Sequence, residues 1–400
     1  MKKTLLLFSL FIFSICLFAQ EWEPMASLPQ GAADARHHPV AFTIDGYGYV
    51  ATGTVNGNES NDFMRYDPTT DTWEQLPNFP GPARGYAYGT SRGTKAYMGF
   101  GLSGLGGALR DLWEYDSETE QWSQLASCPC EARLHPAFVQ LDSLIFVGLG
   151  NNSNNLRDWW EYNINTDSWT QKDDFPGFAR HHPFMFGIDS IAYVGFGHGT
   201  VGNPPIYVDF YKFDPSTDEW TQLQDFPGEA RVAGTQFDYE GKGYVLSGDG
   251  DDHSWMAEGE FWEYDPTIDE WTQLPSHPGS SRWAPGSFVI DNYVYFLGGL
   301  STIQLESDLM RFNLTGEPPS STDEIFSSSI QVFPNPTDGE IAFLEDITQF
   351  SEVRLVDGFG RLVKQVLSNN VHVADLPNGI YYLQFFKNEN MHSEKVVLMK

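Results

Sequence analysis

The stretch Tyr264-Asp265-Pro266-Thr267-Ile268-Asp269-Glu270-Trp271 decides the fold, because near copies of it recur about every fifty residues through the first three quarters of the chain. Trp271 has counterparts at Trp22, Trp73, Trp122, Trp169 and Trp220. From Trp73 onward each is followed eleven residues later by an arginine, giving Arg84, Arg133, Arg180, Arg231 and Arg282, with Arg36 heading the series. Seventeen residues beyond each arginine stands a glycine: Gly53, Gly101, Gly150, Gly197, Gly248 and Gly299. Four residues before each glycine is an aromatic: Tyr49, Tyr97, Phe146, Tyr193, Tyr244 and Tyr295. Tyr66, Tyr115, Tyr162, Phe213 and Tyr264 precede their tryptophans by seven residues. One unit is therefore laid down six times.

These constants predict four strands per unit. Arginine opens the first, the aromatic-to-glycine run is the second, the third ends at the Tyr or Phe, and the tryptophan lies on the fourth. Period-two patterning supports the third strand, where Met64, Trp113, Trp160, Tyr211, Trp262 and Met310 share a face with the aromatic two residues on. Asp-Pro pairs at 67–68, 214–215 and 265–266 start the turn into the fourth strand, the Asp bonding nearby backbone and the Pro presetting its own φ. A four-stranded unit with one apolar face is unstable alone, so its copies must stack. With 15% aromatic residues, 38 Gly and 24 Pro, the composition suits short strands joined by turns.

With these markers the chain resembles the kelch-repeat β-propellers over residues 20–316, which implies an all-β, six-bladed ring of four-stranded blades. One departure is that the family's double glycine is complete only at Gly298-Gly299. The sixth unit lacks a fourth strand, since Pro319 stands where its tryptophan belongs, whereas Trp22 is a fourth-strand tryptophan with no unit before it. The N-terminal strand is therefore expected to complete the last blade and close the ring, removing two open sheet edges.

Outside the repeats, residues 1–19 read as a secretory signal: Lys2 and Lys3, an apolar run, then Ala19. Residues 317–328, rich in Pro, Ser and acid, read as a linker. The segment 329–400 alternates short apolar strands with Asn/Gly/Pro turns, which argues a small β-sandwich. Its Pro334-Asn335-Pro336 start, Asp357-Gly358-Phe359-Gly360 hairpin, Leu376-Pro377-Asn378-Gly379-Ile380-Tyr381 strand and basic terminus resemble the type A sorting domain of the type IX secretion system of Bacteroidota. That resemblance implies residues 329–400 as the contact with the secretion machinery, passage through the periplasm and outer membrane, and a secreted or cell-surface product from which this domain is removed.

A formal charge of −31 without a Lys/Arg run argues against nucleic acid and anionic membrane surfaces as partners, and no membrane span is expected once the signal is gone. Two catalytic-looking strings are turn glycines: Gly89-Thr90-Ser91-Arg92-Gly93 lacks the strand-to-helix context of a nucleophile elbow, and no helix follows Gly99-Phe100-Gly101-Leu102-Ser103-Gly104 to receive a pyrophosphate. Cys128-Pro129-Cys130 reads as an exposed pair with no catalytic task, the alternatives being a disulfide or a soft-metal grip. Asp249, Asp251 and Asp252 form a weak calcium candidate. No metal, cofactor or catalytic residue is otherwise assigned.

Residues common to all units are most simply scaffold, so positions that break the symmetry draw attention. Two positions after the arginines stand His38, Tyr86, His135, His182, Ala233 and Ala284. The imidazoles, Tyr86 and the ring of Arg36, Arg84, Arg133, Arg180, Arg231 and Arg282 are candidate ligand contacts at one channel mouth, where positive charge suits an anionic or sugar-like ligand better than a metal. The second-to-third loops and the connections between units leave from that same face, which marks it as the recognition surface. The expected function is a secreted binding module for an extracellular protein or glycan. The alternative is a propeller enzyme acting on a sugar, since bacterial kelch propellers include sialic-acid mutarotases; a copper-oxidase likeness lacks a suitably placed Cys.

Overall fold

The computed structural model describes residues 21–199, 206–250, 254–315, 332–334, 337–343, 350–357, 361–387 and 390–400. The signal segment 1–19 and the linker 317–328 lie outside the described residues. The chain divides into two compact units, Met1–Glu317 and Pro318–Lys400. The described residues form strands and one short 3-10 turn, and no helix is long and apolar enough to cross a membrane.

Among the described residues the first unit holds six four-stranded antiparallel sheets. Sheet one is Val40–Ile44, Tyr47–Ala51, Phe63–Asp67 and Thr72–Leu76; sheet two is Tyr88–Arg92, Lys95–Gly99, Leu112–Asp116 and Gln121–Leu125. Sheet three is Ala137–Leu141, Leu144–Gly148, Trp159–Asn163 and Ser168–Lys172; sheet four is Phe184–Ile188, Ile191–Gly195, Phe210–Asp214 and Glu219–Gln222. Sheet five is Thr235–Tyr239, Lys242–Leu246, Gly259–Asp265 and Glu270–His277. Sheet six is Gly286–Ile290, Tyr293–Leu297 and Leu309–Asn313, with Trp22–Met25 as its fourth strand. The first strands abut one another in cyclic order, and sheet six lies beside sheet one.

The opening motif sets the outer register. Tyr264 faces Trp271 across its strand pair, as Tyr66 faces Trp73, Tyr115 faces Trp122, Tyr162 faces Trp169 and Phe213 faces Trp220. The sixth such pair joins the two ends of the propeller segment, Trp22 opposite Phe312, with ring centroids 5.2 Å apart. Cross-strand aromatic pairs of this kind add to burial and fix register. The turn between them needs a residue in the left-handed region, and Asp71, Asp167 and Asp269 take it. Their carboxylates accept the tyrosine hydroxyls of Tyr66, Tyr162 and Tyr264 at 2.7–2.8 Å. The same Asp71 and Asp167 oxygens accept backbone N–H groups of Ala26 and Ala126, so each turn also grips an adjoining connection.

The repeated glycine has a definite task. At Gly150, φ is +81° and a Cβ would come within 2.5 Å of the Leu134 carbonyl oxygen. Its N–H donates to the carbonyl of Arg180 in the next unit at 2.9 Å, as Gly53 does to Arg84 and Gly299 to Arg36. The last of these links sheet six to the start of sheet one. The residue before each glycine is also left-handed, at Thr52, Phe100, Leu149, Phe196, Ser247 and Gly298, so the position of the missing first glycine tolerates side chains in a conformation they rarely adopt.

The second unit has a three-stranded sheet, Val332–Phe333, Glu340–Phe343 and Asn370–His372. Its four-stranded sheet runs in the order Leu362–Gln365, Glu352–Asp357, Gly379–Lys387, Asn390–Leu398. Ile341, Val353, Leu355, Val371, Leu383, Phe385 and Leu398 pack into a core of its own.

Candidate functional site

The first strands do not begin at the arginines. His38, Tyr86, His135, His182, Ala233 and Ala284 all take φ between +51° and +58°, which ends any extended run and turns the chain before the strand starts two residues later. The Arg segment is thereby a separate piece crossing the end of the channel, as where Arg36–His37 pairs with Thr54–Val55. The left-handed residues bond to one another around the axis. The N–H of His38 donates to Ala284 O at 2.8 Å, that of His135 to Tyr86 O at 3.1 Å, that of His182 to His135 O at 3.3 Å and that of Ala284 to Ala233 O at 2.6 Å.

The structure does not bring the six arginines to a ligand, which corrects the expected cationic mouth. Arg36, Arg84, Arg133, Arg180 and Arg231 are fully buried and Arg282 is nearly so. Each pairs within its own unit, with Asp62, Asp111, Asp158, Asp209, Glu260 and Asp308 respectively. Five of the pairs are two-pronged; in Arg133 both terminal nitrogens meet Asp158 at 2.7 Å and one also donates to Leu149 O. The Phe of each Phe-Pro-Gly exit lies under a guanidinium, Phe79 beneath Arg84, Phe175 beneath Arg180 and Phe226 beneath Arg231. The acids were legible in the sequence, since each stands four residues before the Tyr or Phe that ends the third strand.

The imidazoles do converge. Nitrogens of His38, His135 and His182 lie within 4.8 Å of one another, and all three side chains are buried. His38 Nε2 is 3.1 Å from His182 Nε2, and the His135 and His182 rings lie against one another at a tilt of 31°, their centroids 3.5 Å apart. Tyr86 packs 4.2 Å from His38 and 4.8 Å from His135, and Trp283 closes the far side 4.5 Å from His38. His37 and His181, which repeat spacing alone did not single out, form the outer layer: His37 Nδ1 meets His38 Nδ1 at 2.7 Å, and His181 Nδ1 meets Asn155 Oδ1 at 2.9 Å. Burial lowers His37 to about 4, and burial with His181 nearby lowers His135 to about 3. His38 is held well below the ordinary range by burial and its imidazole neighbours. At neutral pH His37, His38 and His135 are therefore uncharged, and the charge of each arginine is matched by a carboxylate.

Along the axis lies an open cavity of about 240 Å³, lined by Thr43, Ser91, Gln140, Gly187, Asp238 and Ser287 among others. Asp238 is the one carboxylate of that lining; its surface is open to the cavity, and the protein packed around it raises its pKa above the ordinary carboxylate range. It was findable in the sequence, since seven residues after the arginines stand Thr43, Ser91, Gln140, Gly187, Asp238 and Val289, and Asp238 alone is an acid.

Two smaller expectations change. Cys128 and Cys130 are buried, not exposed, and are joined as a disulfide. Asp249 is buried, with its carboxyl raised to about 7 by burial, while Asp251 and Asp252 lie outside the described residues.

Comparison with known proteins matches this architecture. The Attractin/LZTR1 beta-propeller profile covers residues 46–310. The chain belongs to the Attractin/LZTR1 β-propeller family. A secretion system C-terminal sorting domain matches residues 331–399 of the same chain. The kelch-like protein terF of Aspergillus terreus is 34% identical over 109 residues, 26% of this chain and 24% of that protein. The N-acetylneuraminate epimerase of Escherichia coli strain K12 is 25% identical over 138 residues, 32% of this chain and 38% of the epimerase. The match thus spans about a quarter of terF and under two fifths of the epimerase. The solved structure of YjhT superposes with a TM-score of 0.60 at 13% identity, over 71% of this chain and 95% of that one, a likeness of fold.

Proposed function

We propose that this chain is a six-bladed propeller closed by its N-terminal strand, exported by type IX secretion, that binds an extracellular glycan or protein through the face carrying the second-to-third loops. One observation carries this reading. Among the described residues of the first unit the exposed large hydrophobics are Tyr47, Leu105, Phe178, Trp255, Ile268 and Ile303, and four of these belong to connections on that face. Leu105, Trp255 and Ile303 lie between second and third strands, and Phe178 lies between sheets three and four. Phe178 stacks on Tyr207 with ring centroids 5.7 Å apart, a flat aromatic step of the kind that meets sugar rings or apolar side chains. Loops held by a rigid scaffold are where binding residues concentrate.

Binding of the propeller to a glycan array tests it. Trp255→Ala and Phe178→Ala are each expected to lower binding at least about tenfold, the usual size for an aromatic anchor. Silence across the array removes the glycan and leaves a protein partner. The second reading, a sugar epimerase, is favoured by Asp238, the one carboxylate lining the open axial cavity and so placed to exchange a proton with a sugar bound there. NMR exchange between the anomers of N-acetylneuraminate, fast with the wild type and slowed by Asp238→Asn, would establish it; equal rates with and without the protein would exclude it.

A further inference from the structure

We propose that His38, His135 and His182 form a binding site for one divalent first-row transition ion of the zinc and cobalt class, held by imidazole nitrogens at the propeller axis. Zn–N bonds of 2.0–2.1 Å at tetrahedral angles put ligand nitrogens roughly 3.3 Å apart. His38 Nε2 and His182 Nε2, at 3.1 Å, already span such an edge. The upper bound of 4.8 Å within the triad means that the third ring closes by a side-chain shift of about 1.5 Å at most, set against that roughly 3.3 Å edge.

The hydrogen bonding points the same way. His135 Nδ1 lies 3.1 Å from Asn151 Oδ1, which can only accept, so Nδ1 carries the proton and Nε2 presents a lone pair. That Nε2 is buried and has no hydrogen-bond partner among the described residues. A buried acceptor without a partner is costly, and a metal ion satisfies it. Oriented imidazoles with the second nitrogen engaged are the usual supporting arrangement of a metal ligand, and the His37 contact on His38 Nδ1 supplies the same for a second member.

The fold does not require imidazole here. Ala233 and Ala284 take the same left-handed backbone at the equivalent positions, and Tyr86 does so with a larger ring. The objection that arginines repel a cation also falls away, because each guanidinium is matched by a carboxylate. Tyr86 and Trp283 pack around the His38 ring and limit water at the site.

The test uses the full chain, stripped with EDTA and titrated with cobalt(II), followed by visible d–d absorption and by metal content after desalting. One ion per chain with an imidazole-ligated spectrum is expected. His182→Ala and His135→Tyr, which install residues the repeat already carries at this position, should lose the band and weaken binding at least about a hundredfold while circular dichroism stays that of the wild type. Asn151→Leu should weaken it about tenfold, the scale of a supporting contact. His372→Ala, which removes an exposed imidazole of the second unit, should change nothing. No retained cobalt(II) in the wild type, or retention that survives His182→Ala, overturns the proposal.

Discussion

The arginine that recurs six times holds each unit together through one acid. Arg133 is fully buried, and Asp158 supplies its whole countercharge with Trp160 donating to the same carboxylate. Burial pushes Asp158 up, and the Arg133 contacts more than reverse this, so its pKa is net lowered. Removing the acid leaves an unpaired buried cation, for which about 3–5 kcal/mol is typical. Asp158→Ala should therefore lower the unfolding free energy by that amount, and a loss below about 1 kcal/mol would mean that water replaces the carboxylate. Asp249 has the opposite sign. Its folded pKa, about 7, lies above the ordinary 3.8, so protonated carboxyl favours the fold and that advantage is lost as pH rises through 7. Asp249→Asn is expected to raise stability at pH 8 by about 1–2 kcal/mol, less than the ~4 kcal/mol of full linkage, and to match the wild type near pH 4. A stability gap that does not grow with pH would show that Asp249 finds a partner.

At the scale of the element, strand number and register were legible because four markers at fixed offsets can be satisfied only by one stacking unit. Trp271 and Tyr264 need no partner list to be paired; seven residues with a tight turn between them leave little choice. The start of the first strand was not legible. Nothing in the residue types His, Tyr and Ala announces a left-handed φ, which is imposed by the inter-unit backbone bonds at His38, His135 and Ala284. The convergence of three imidazoles was legible in the spacing, and so was the withdrawal of the arginines, through the acid four residues before each third-strand Tyr or Phe. The fourth strand of sheet six carries a testable consequence. Trp22 is only partly buried, so Trp22→Ala should cost about 2 kcal/mol, short of the ~3–5 of a fully buried Trp. If Trp22–Met25 completes a closed ring, Trp22→Ala should also raise hydrogen exchange in Leu309–Asn313, its pairing partner, more than in the outer strands of sheet three. Equal exchange in both would show that the strand is dispensable to closure.

For the whole molecule, the proposed reading gives binding to the first unit and export to the second, which matches a secretion system C-terminal sorting domain. The sorting-domain segment has its own core of Val353, Leu355, Leu383 and Phe385, and the hydrogen bonds that close the first-unit sheets, from Trp22–Met25 to Leu309–Asn313, lie within residues 21–315. Among the described residues neither unit borrows a strand from the other, and a unit so built can be cut away without opening a sheet edge. The chain recovered outside the cell is therefore expected to lack residues from about 329 onward while keeping the melting transition of the propeller, and mass spectrometry of culture supernatant reads this directly. Deleting residues 329–400 should leave the propeller inside the outer membrane. Recovery of peptides ending at Lys400 on the released chain would mean that the second unit stays on the product, and its two sheets would then belong to the binding surface instead of to transport.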